Sequence, residues 1–229
     1  MKKISIYLTL IISLMISPCF AGDSESNHFK EVQEMSAQYQ AAIKEAIKKA
    51  GLKPEVAKLA IKAYKNAKDQ GYGNKEILTI IDYSLPSNQK RMWVVDLKHQ
   101  KLLFHTLVAH GQNTGGLCAK SFSNKSGSHK SSIGLYQTAE TYTGNKGYSL
   151  KLKGLDGQFN SNAYNRAIVV HGAWYVGESI AKQGRLGRSW GCPAVAPQLA
   201  KPIINTIKGG SLVFAYYPDQ HWLKNSKFL

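Results

Sequence analysis

Acidic residues are scarce in this chain: 14 Asp and Glu stand against 30 Lys and Arg, a formal charge of +16 over 229 residues. So large an excess of one sign attracts polyanions. Nucleic acid is one such partner, but the sequence has no arginine-rich run and no aromatic-basic recognition motif, so no nucleic-acid partner is expected. Cysteine is scarcer still, with Cys19, Cys118 and Cys192 the three in the chain. There is no CxxC pair and no HExxH, and the histidines are scattered. A zinc hydrolase built on His171 and Cys192 would therefore lack further ligands. No nucleotide or flavin motif occurs either, and neither a cofactor nor a metal is expected. The uncharged apolar run Ile4–Ile16 is too short for a comfortable membrane span.

That run has another use. Lys2 and Lys3 precede it and small residues at Cys19 and Ala21 follow, the pattern of a secretory signal peptide over residues 1–21, cut after Ala21. A lipoprotein reading with Cys19 acylated competes, weakened by Pro18 immediately before it. The expected location is periplasmic or secreted, with no integral membrane span after signal removal; cell-wall polymer and lipid headgroups are then the anionic candidates. Cys118 and Cys192 remain, an even count that in an exported protein suggests a disulfide. A catalytic Cys192 cannot be permanently bridged. Cys118, in the loop Gly115–Ala119, then reads as a packed small residue, with a redox-partner role as the competing reading.

About 208 of the 229 residues remain, enough for one catalytic domain with a small helical addition. From Asn27 to Gly73 the pattern is helical: Ala42, Ile43, Ala46, Ile47 and Ala50 recur at helical spacing before Gly51, and Pro54 with Glu55 opens a second helix. Its apolar positions are Val56, Leu59, Ala60, Ala63, Tyr64 and Ala67, with Lys58, Lys62 and Lys65 opposite. The segment 22–76 reads as a helical pair packed on the domain 77–229, with a wall-binding or lid role the competing reading. After Gly73, strands are expected at Ile77–Tyr83, Arg91–Leu97, Lys101–Ala109, Ile133–Thr138, Tyr148–Lys153, Ala167–His171 and Ser211–Tyr217, with a hairpin turn at Lys98–Gln100. Helices are expected at Val176–Lys182 and Pro197–Ile207, Pro202 blurring the start of the second. Gly111–Lys130 reads as a long loop and Tyr142–Tyr148 as a second loop.

The chemistry concentrates between Arg166 and Val195. A β-branched run, Ile168-Val169-Val170, ends in His171-Gly172, and Ser189-Trp190-Gly191-Cys192-Pro193 follows. This suits a site where imidazole and thiol meet at the rim of a sheet. A free thiol titrates near 8.5, so only about a few per cent is thiolate at neutral pH, and a nearby histidine removes that handicap. Cys192 is the nucleophile candidate and His171 the base. Gly191 permits an unusual backbone angle, so that the amides of Gly191 and Cys192 can point together at a developing oxyanion. A buried packing cysteine and a satisfied strand-end histidine are the competing structural reading.

His171-Gly172 followed by Ser189-Trp190-Gly191-Cys192 resembles the signature of the L,D-transpeptidases, murein cross-linking cysteine enzymes. The longer run Gly187–Val195, with Ala109-His110-Gly111 and Phe122-Ser123-Asn124 upstream, resembles one branch of that superfamily. It departs from the commoner pattern at Pro193-Ala194, where many relatives place an asparagine or arginine. The resemblance covers about Ile80 to Trp222 and implies an α+β fold, a β-sandwich catalytic domain preceded by a small helical segment. It implies an exported transpeptidase acting on peptidoglycan peptide stems through a Cys192 thioester, with release of D-alanine and transfer to an amine acceptor. The site would comprise Cys192, His171 and Gly191, with Gly172, His110, Ser123, Asn124, Arg185, Arg188, Ser189 and Trp190 lining the substrate. Arg185 and Arg188 suit a stem carboxylate, though pairing with the protein's own acids competes. An L,D-carboxypeptidase-type hydrolase and a nonenzymatic peptidoglycan-binding protein are the alternatives.

Overall fold

A computed structural model describes residues 37–229. The expected signal peptide, Cys19 and the 27–36 part of the helical pattern lie outside the described residues. The chain opens in two helices, α1 (Ala37–Ala50) and α2 (Pro54–Asp69). Gly51, at φ +63°, ends the first, and Pro54 occupies the first turn of the second, where its missing N–H is harmless. A helix of 16 residues is only just beyond the length at which helices are marginal alone in water, and in proteins most helical stability comes from packing. Burial of Val56 and Ile61 supplies about 1.5–3 kcal/mol each, so packing outweighs propensity here. Both helices share one core with Leu78, Ile80, Trp93 and Phe214. The indole N–H of Trp93 donates to the Ala50 carbonyl at 2.9 Å, and the Leu102 amide donates to Glu45 Oε2 at 3.1 Å.

Eight strands follow: β1 (Ile77–Asp82), β2 (Met92–Asp96), β3 (Lys101–Thr106), β4 (Gly134–Gly144), β5 (Gly147–Gly154), β6 (Val169–Gly172), β7 (Ala194–Val195) and β8 (Leu212–Tyr216). Between and after them lie α3 (Gly157–Asn160), α4 (Glu178–Ala181), α5 (Pro197–Ile207) and α6 (Gln220–Asn225). The strands form one mixed sheet in the order β3-β2-β1-β8-β4-β5-β6-β7, with β1–β8 and β6–β7 parallel and the other pairs antiparallel. Side chains alternate across it. Leu78, Ile80, Leu212 and Phe214 face the helices, while Ile81, Val94, Leu150, Val170, Val213 and Ala215 face inward onto Ile203, Ile204 and Ile207 of α5.

Beyond β3 the chain crosses to the far edge of the sheet. Ala109 bridges Ala194, its amide donating to the Ala194 carbonyl at 2.8 Å, and Gly111 bridges Ser189. The two edges thus meet, giving a barrel-like wall that leaves few unpaired edge groups. The α+β class is as expected, and what was expected as a sandwich is one sheet curled on itself. The closure also fastens the segment before Cys192 to the segment before the long loop.

Two expectations change. Tyr142–Tyr148 is not a loop: β4 continues to Gly144, paired with Gly147, and only Asn145 and Lys146 turn. Thr141, Tyr142 and Thr143 favour extended backbone, and Gly147 at φ +73° suits the tight turn. Pro202 sits inside α5 rather than blurring its start, which Pro197 provides. The 111–130 stretch carries no helix or strand, as read from its composition.

Candidate active site

Strand β6 ends in the histidine that its apolar run delivers. Val170 points into the core, so His171 points to the other face, opposite Ser149 of β5 and beside Ala194 of β7. Its Nδ1–H donates to the Gly172 carbonyl at 2.9 Å, which leaves Nε2 as the lone-pair nitrogen. Burial pushes the imidazole below its ordinary range, with the Gly172 contact opposing and the charge of Lys146 assisting. Gly172 itself is crowded: a Cβ there would lie 3.1 Å from the Ala200 methyl and 3.2 Å from Pro197 Cα. It holds His171 and admits α5.

Cys192 is a free thiol that keeps part of its surface in solvent. Its Sγ lies 3.5 Å from both the Val169 amide and the Ala167 carbonyl, against the backbone that leads into His171. Burial pushes the thiol up, opposed by the Val169 N–H and by the charges of Arg166 and Lys146. Both shifts favour the same resting state, a neutral thiol and a neutral imidazole. Lys146, at the tip of the β4–β5 hairpin, acts on both groups.

The turn bearing Cys192 is held from both sides. Gly191 has φ +124°, and a Cβ on it would meet the Lys130 carbonyl oxygen at 2.7 Å. The Gly191 amide donates to Ser189 Oγ at 3.1 Å, and that hydroxyl donates to the Cys192 carbonyl at 2.7 Å. Ser131 Oγ donates to the Gly191 carbonyl at 3.0 Å while accepting from the Gly111 amide at 3.0 Å. The Gly191 N–H, expected to point with the Cys192 amide at a developing oxyanion, is here bonded to Ser189 Oγ. Of the two, the Cys192 amide is the one left.

Several expected substrate contacts are turned inward. His110 is 1 % exposed: its Nδ1 accepts from Arg91 at 2.8 Å and its Nε2–H donates to the Gly115 carbonyl at 3.3 Å. Desolvation and the Arg91 charge push it down to about 3, so it is a neutral structural ring. Arg91 is itself buried, donating to the Leu85 and Val108 carbonyls and lying 5.2 Å from the Tyr83 ring. Ser189 is buried and spent on the turn. Asn124 is tied to Asn162 and Ser161, and the Ser123 backbone to Ser131 and Arg166. His110 and Ser189 are buried and hydrogen-bonded within the protein, and Asn124, half-buried, is hydrogen-bonded to Ser161 and Asn162. Arg188 donates to the Gln112 and Gly115 carbonyls, and Arg185 to that of Leu186, and among the described residues neither meets an acid. Both side chains are otherwise exposed. Trp190 is 71 % exposed and stacked on His129, centroids 4.8 Å apart with an interplanar angle of 6°.

Sequence reasoning missed Arg166, Ser131, Arg91, Lys146 and Tyr175. Tyr175 follows His171 closely, its phenol pushed up to about 12 by burial and by the neighbouring Cys192. A lone arginine or serine with no spacing partner gives no pattern to find; Lys146, between two glycines, was the one with a local turn signal.

A curled mixed sheet with a histidine on β6 and a free cysteine in the turn just before β7 is the setting in which the family assignment falls. The L,D-transpeptidase catalytic domain family matches residues 48–216, and the chain belongs to this family. The match begins inside α1, so α2 lies within it. No curated protein matches the chain. Among solved structures, it is similar to an L,D-transpeptidase from Mycobacterium smegmatis (13 % identity, 62 % of this chain and 59 % of that one, TM-score 0.40). It is also similar to L,D-transpeptidase 3 from Mycobacterium tuberculosis (12 % identity, 62 % and 61 %, TM-score 0.39). A third is the helical cell shape determining protein Pgp2 from Campylobacter jejuni, as its K307A mutant (10 % identity, 69 % and 55 %, TM-score 0.43). The chain thus spans less than two thirds of the length of each. Among the described residues, no helix is long and apolar enough to cross a membrane, and no three His, Cys, Asp or Glu gather as a metal site.

Proposed function

We propose that this protein is an exported cysteine transpeptidase that acts on murein peptide stems. The observation that carries the reading is the placement of the one free thiol among the described residues, Cys192, against the 167–169 backbone that ends in a His171 whose Nδ1–H is already committed. That commitment leaves Nε2 to take a proton. His171 accepts the thiol proton as Cys192 Sγ attacks the carbonyl of the third residue of a tetrapeptide stem. The tetrahedral oxyanion is met by the Cys192 amide, a donor whose equivalents elsewhere are worth about 3 kcal/mol. The imidazolium then protonates the departing D-alanine amine, leaving a thioester. An amine acceptor, deprotonated by His171, attacks the thioester and restores the thiol.

The neutral resting pair bears on this order of events. A thiol pushed up and an imidazole pushed down do not exchange a proton in advance, so transfer accompanies attack. Export rests on the sequence of residues 1–21 and on the wall chemistry of the family. Arg185, Arg188 and Trp190, exposed around the Cys192 turn, are the side chains we assign to stem contact.

The test is product analysis by mass spectrometry after mixing mature protein with purified tetrapeptide muropeptides, with Cys192→Ala as a folded control. Loss of D-alanine with a new cross-linked dimer, absent in the variant, is the expected result. D-Alanine release without a dimer would make the protein a hydrolase. No product from any stem, with the thiol free and the protein folded, would overturn the reading in favour of wall binding.

A further inference from the structure

The half-buried guanidinium of Arg166 sits three residues before β6 and makes four hydrogen bonds to one segment. Nη1 donates to the Ser123 carbonyl at 2.6 Å and to Ser132 Oγ at 2.8 Å. Nη2 donates to Ser128 Oγ at 3.2 Å and to the Lys130 carbonyl at 2.5 Å. The segment 123–132 has no helix or strand to hold it. A planar fork that reaches two carbonyls and two hydroxyls at once is what a lysine cannot provide. The same segment seats the Cys192 turn: the Lys130 carbonyl oxygen occupies the space where a Gly191 Cβ would lie, and Ser131 Oγ holds the Gly191 carbonyl. Cys192 Sγ in turn lies on the Ala167 carbonyl and the Val169 amide, beginning one residue after Arg166.

We propose that Arg166 is a positioning residue of the Cys192 site, clamping the 123–132 strap against Gly191 and keeping a permanent positive charge beside the thiol. The inference rests on the reading of Cys192 as nucleophile. The guanidinium has no carboxylate partner among the described residues, so its charge is not cancelled locally. The other charged or titratable groups acting on or responding to Cys192 are Lys146 at the β4–β5 tip, Tyr83 after β1 and Tyr175 after β6, with His171 on the strand whose Val169 amide meets Sγ. The phenols of Tyr83 and Tyr175 are both pushed up to about 12, hence neutral at physiological pH, and Lys146 is exposed at a hairpin tip where solvent screens it. Arg166 is therefore the cation held rigidly. It opposes the burial that raises the thiol.

The experiment follows alkylation of Cys192 by iodoacetamide across pH, read at the Cys192 peptide, in the mature protein and in Arg166→Gln and Arg166→Lys. Alkylation needs no stem peptide, so it reports on Arg166 even where muropeptide assays fail. Arg166→Gln is expected to move the alkylation midpoint to higher pH and slow the neutral-pH reaction on the order of tenfold, as loss of one neighbouring opposite charge does. Arg166→Lys is expected to keep the midpoint near that of the parent, while both variants lose amide hydrogen-exchange protection across 123–132. A purely structural arginine would loosen the strap without moving the midpoint. An unchanged midpoint in folded Arg166→Gln overturns the electrostatic part. Unchanged strap protection in Arg166→Lys, which keeps the charge and favours folding, overturns the clamp.

Discussion

Arg91 donates a 2.8 Å hydrogen bond to Nδ1 of His110, so a buried cation leans on a buried imidazole that must stay neutral. His110 is pushed down to about 3 from an ordinary 6.5 by desolvation and by this charge. A depressed folded value means that the unfolded chain binds the proton first as pH falls. The stabilisation is fully present above pH 6.5 and is lost between 6.5 and 3. Across that window one such group removes about 1.4 kcal/mol per pH unit. Denaturant unfolding at pH 7, 6, 5 and 4 should show this slope, flattened in His110→Gln, which has no imidazole to titrate. Equal slopes in the two proteins would show that His110 is not the acid-sensitive group.

His171 makes the complementary prediction for activity. Its neutral form is the base, and burial lowers its value, so kcat/KM should fall only below pH 6.5 as the imidazole gains a proton. An acid limb centred above 6.5 would contradict a buried base. His171→Ala should cost roughly a hundred- to ten-thousand-fold in kcat/KM with the Cys192 thiol still titratable by a small disulfide reagent.

Ser131→Ala removes one hydroxyl that serves both Gly191 and Gly111. A buried carbonyl and a buried amide are then left unpaired, a cost of about 1–3 kcal/mol. The denaturant midpoint should drop accordingly, and kcat should fall more than KM changes because the Cys192 turn loosens. Ser131→Thr, which restores the hydroxyl, should recover part of both.

Trp190 behaves differently because its ring is already in water. It is 71 % exposed, and its stack on His129 is worth about 0.5–1.5 kcal/mol. Trp190→Ala should leave the melting temperature within a few degrees of the parent while raising KM for stem peptide. Unchanged KM with unchanged kcat would remove Trp190 from the substrate face.

The sequence by itself determined what repeats at short range. The amphipathic faces of α1 and α2, the hairpin around Lys98–Gln100, the strand ending in His171 and the glycine before Cys192 are all written in neighbouring residues, because period and turn chemistry act locally. Tertiary structure decided which polar atoms were already taken. His110 meets Arg91 across 19 residues, Ser131 meets Gly191 across 60, and Arg166 meets Lys130 across 36. Each of these is a side chain bonded to another ring or to a backbone carbonyl, a contact that any residue in the right place can complete and that leaves no spacing behind. The curl of the sheet, which brings Ala109 to Ala194 and Gly111 to Ser189, put those partners within reach. It tied the polar atoms of His110, Ser189 and Asn124 to protein partners, and it set Arg166 against the strap that seats the Cys192 turn.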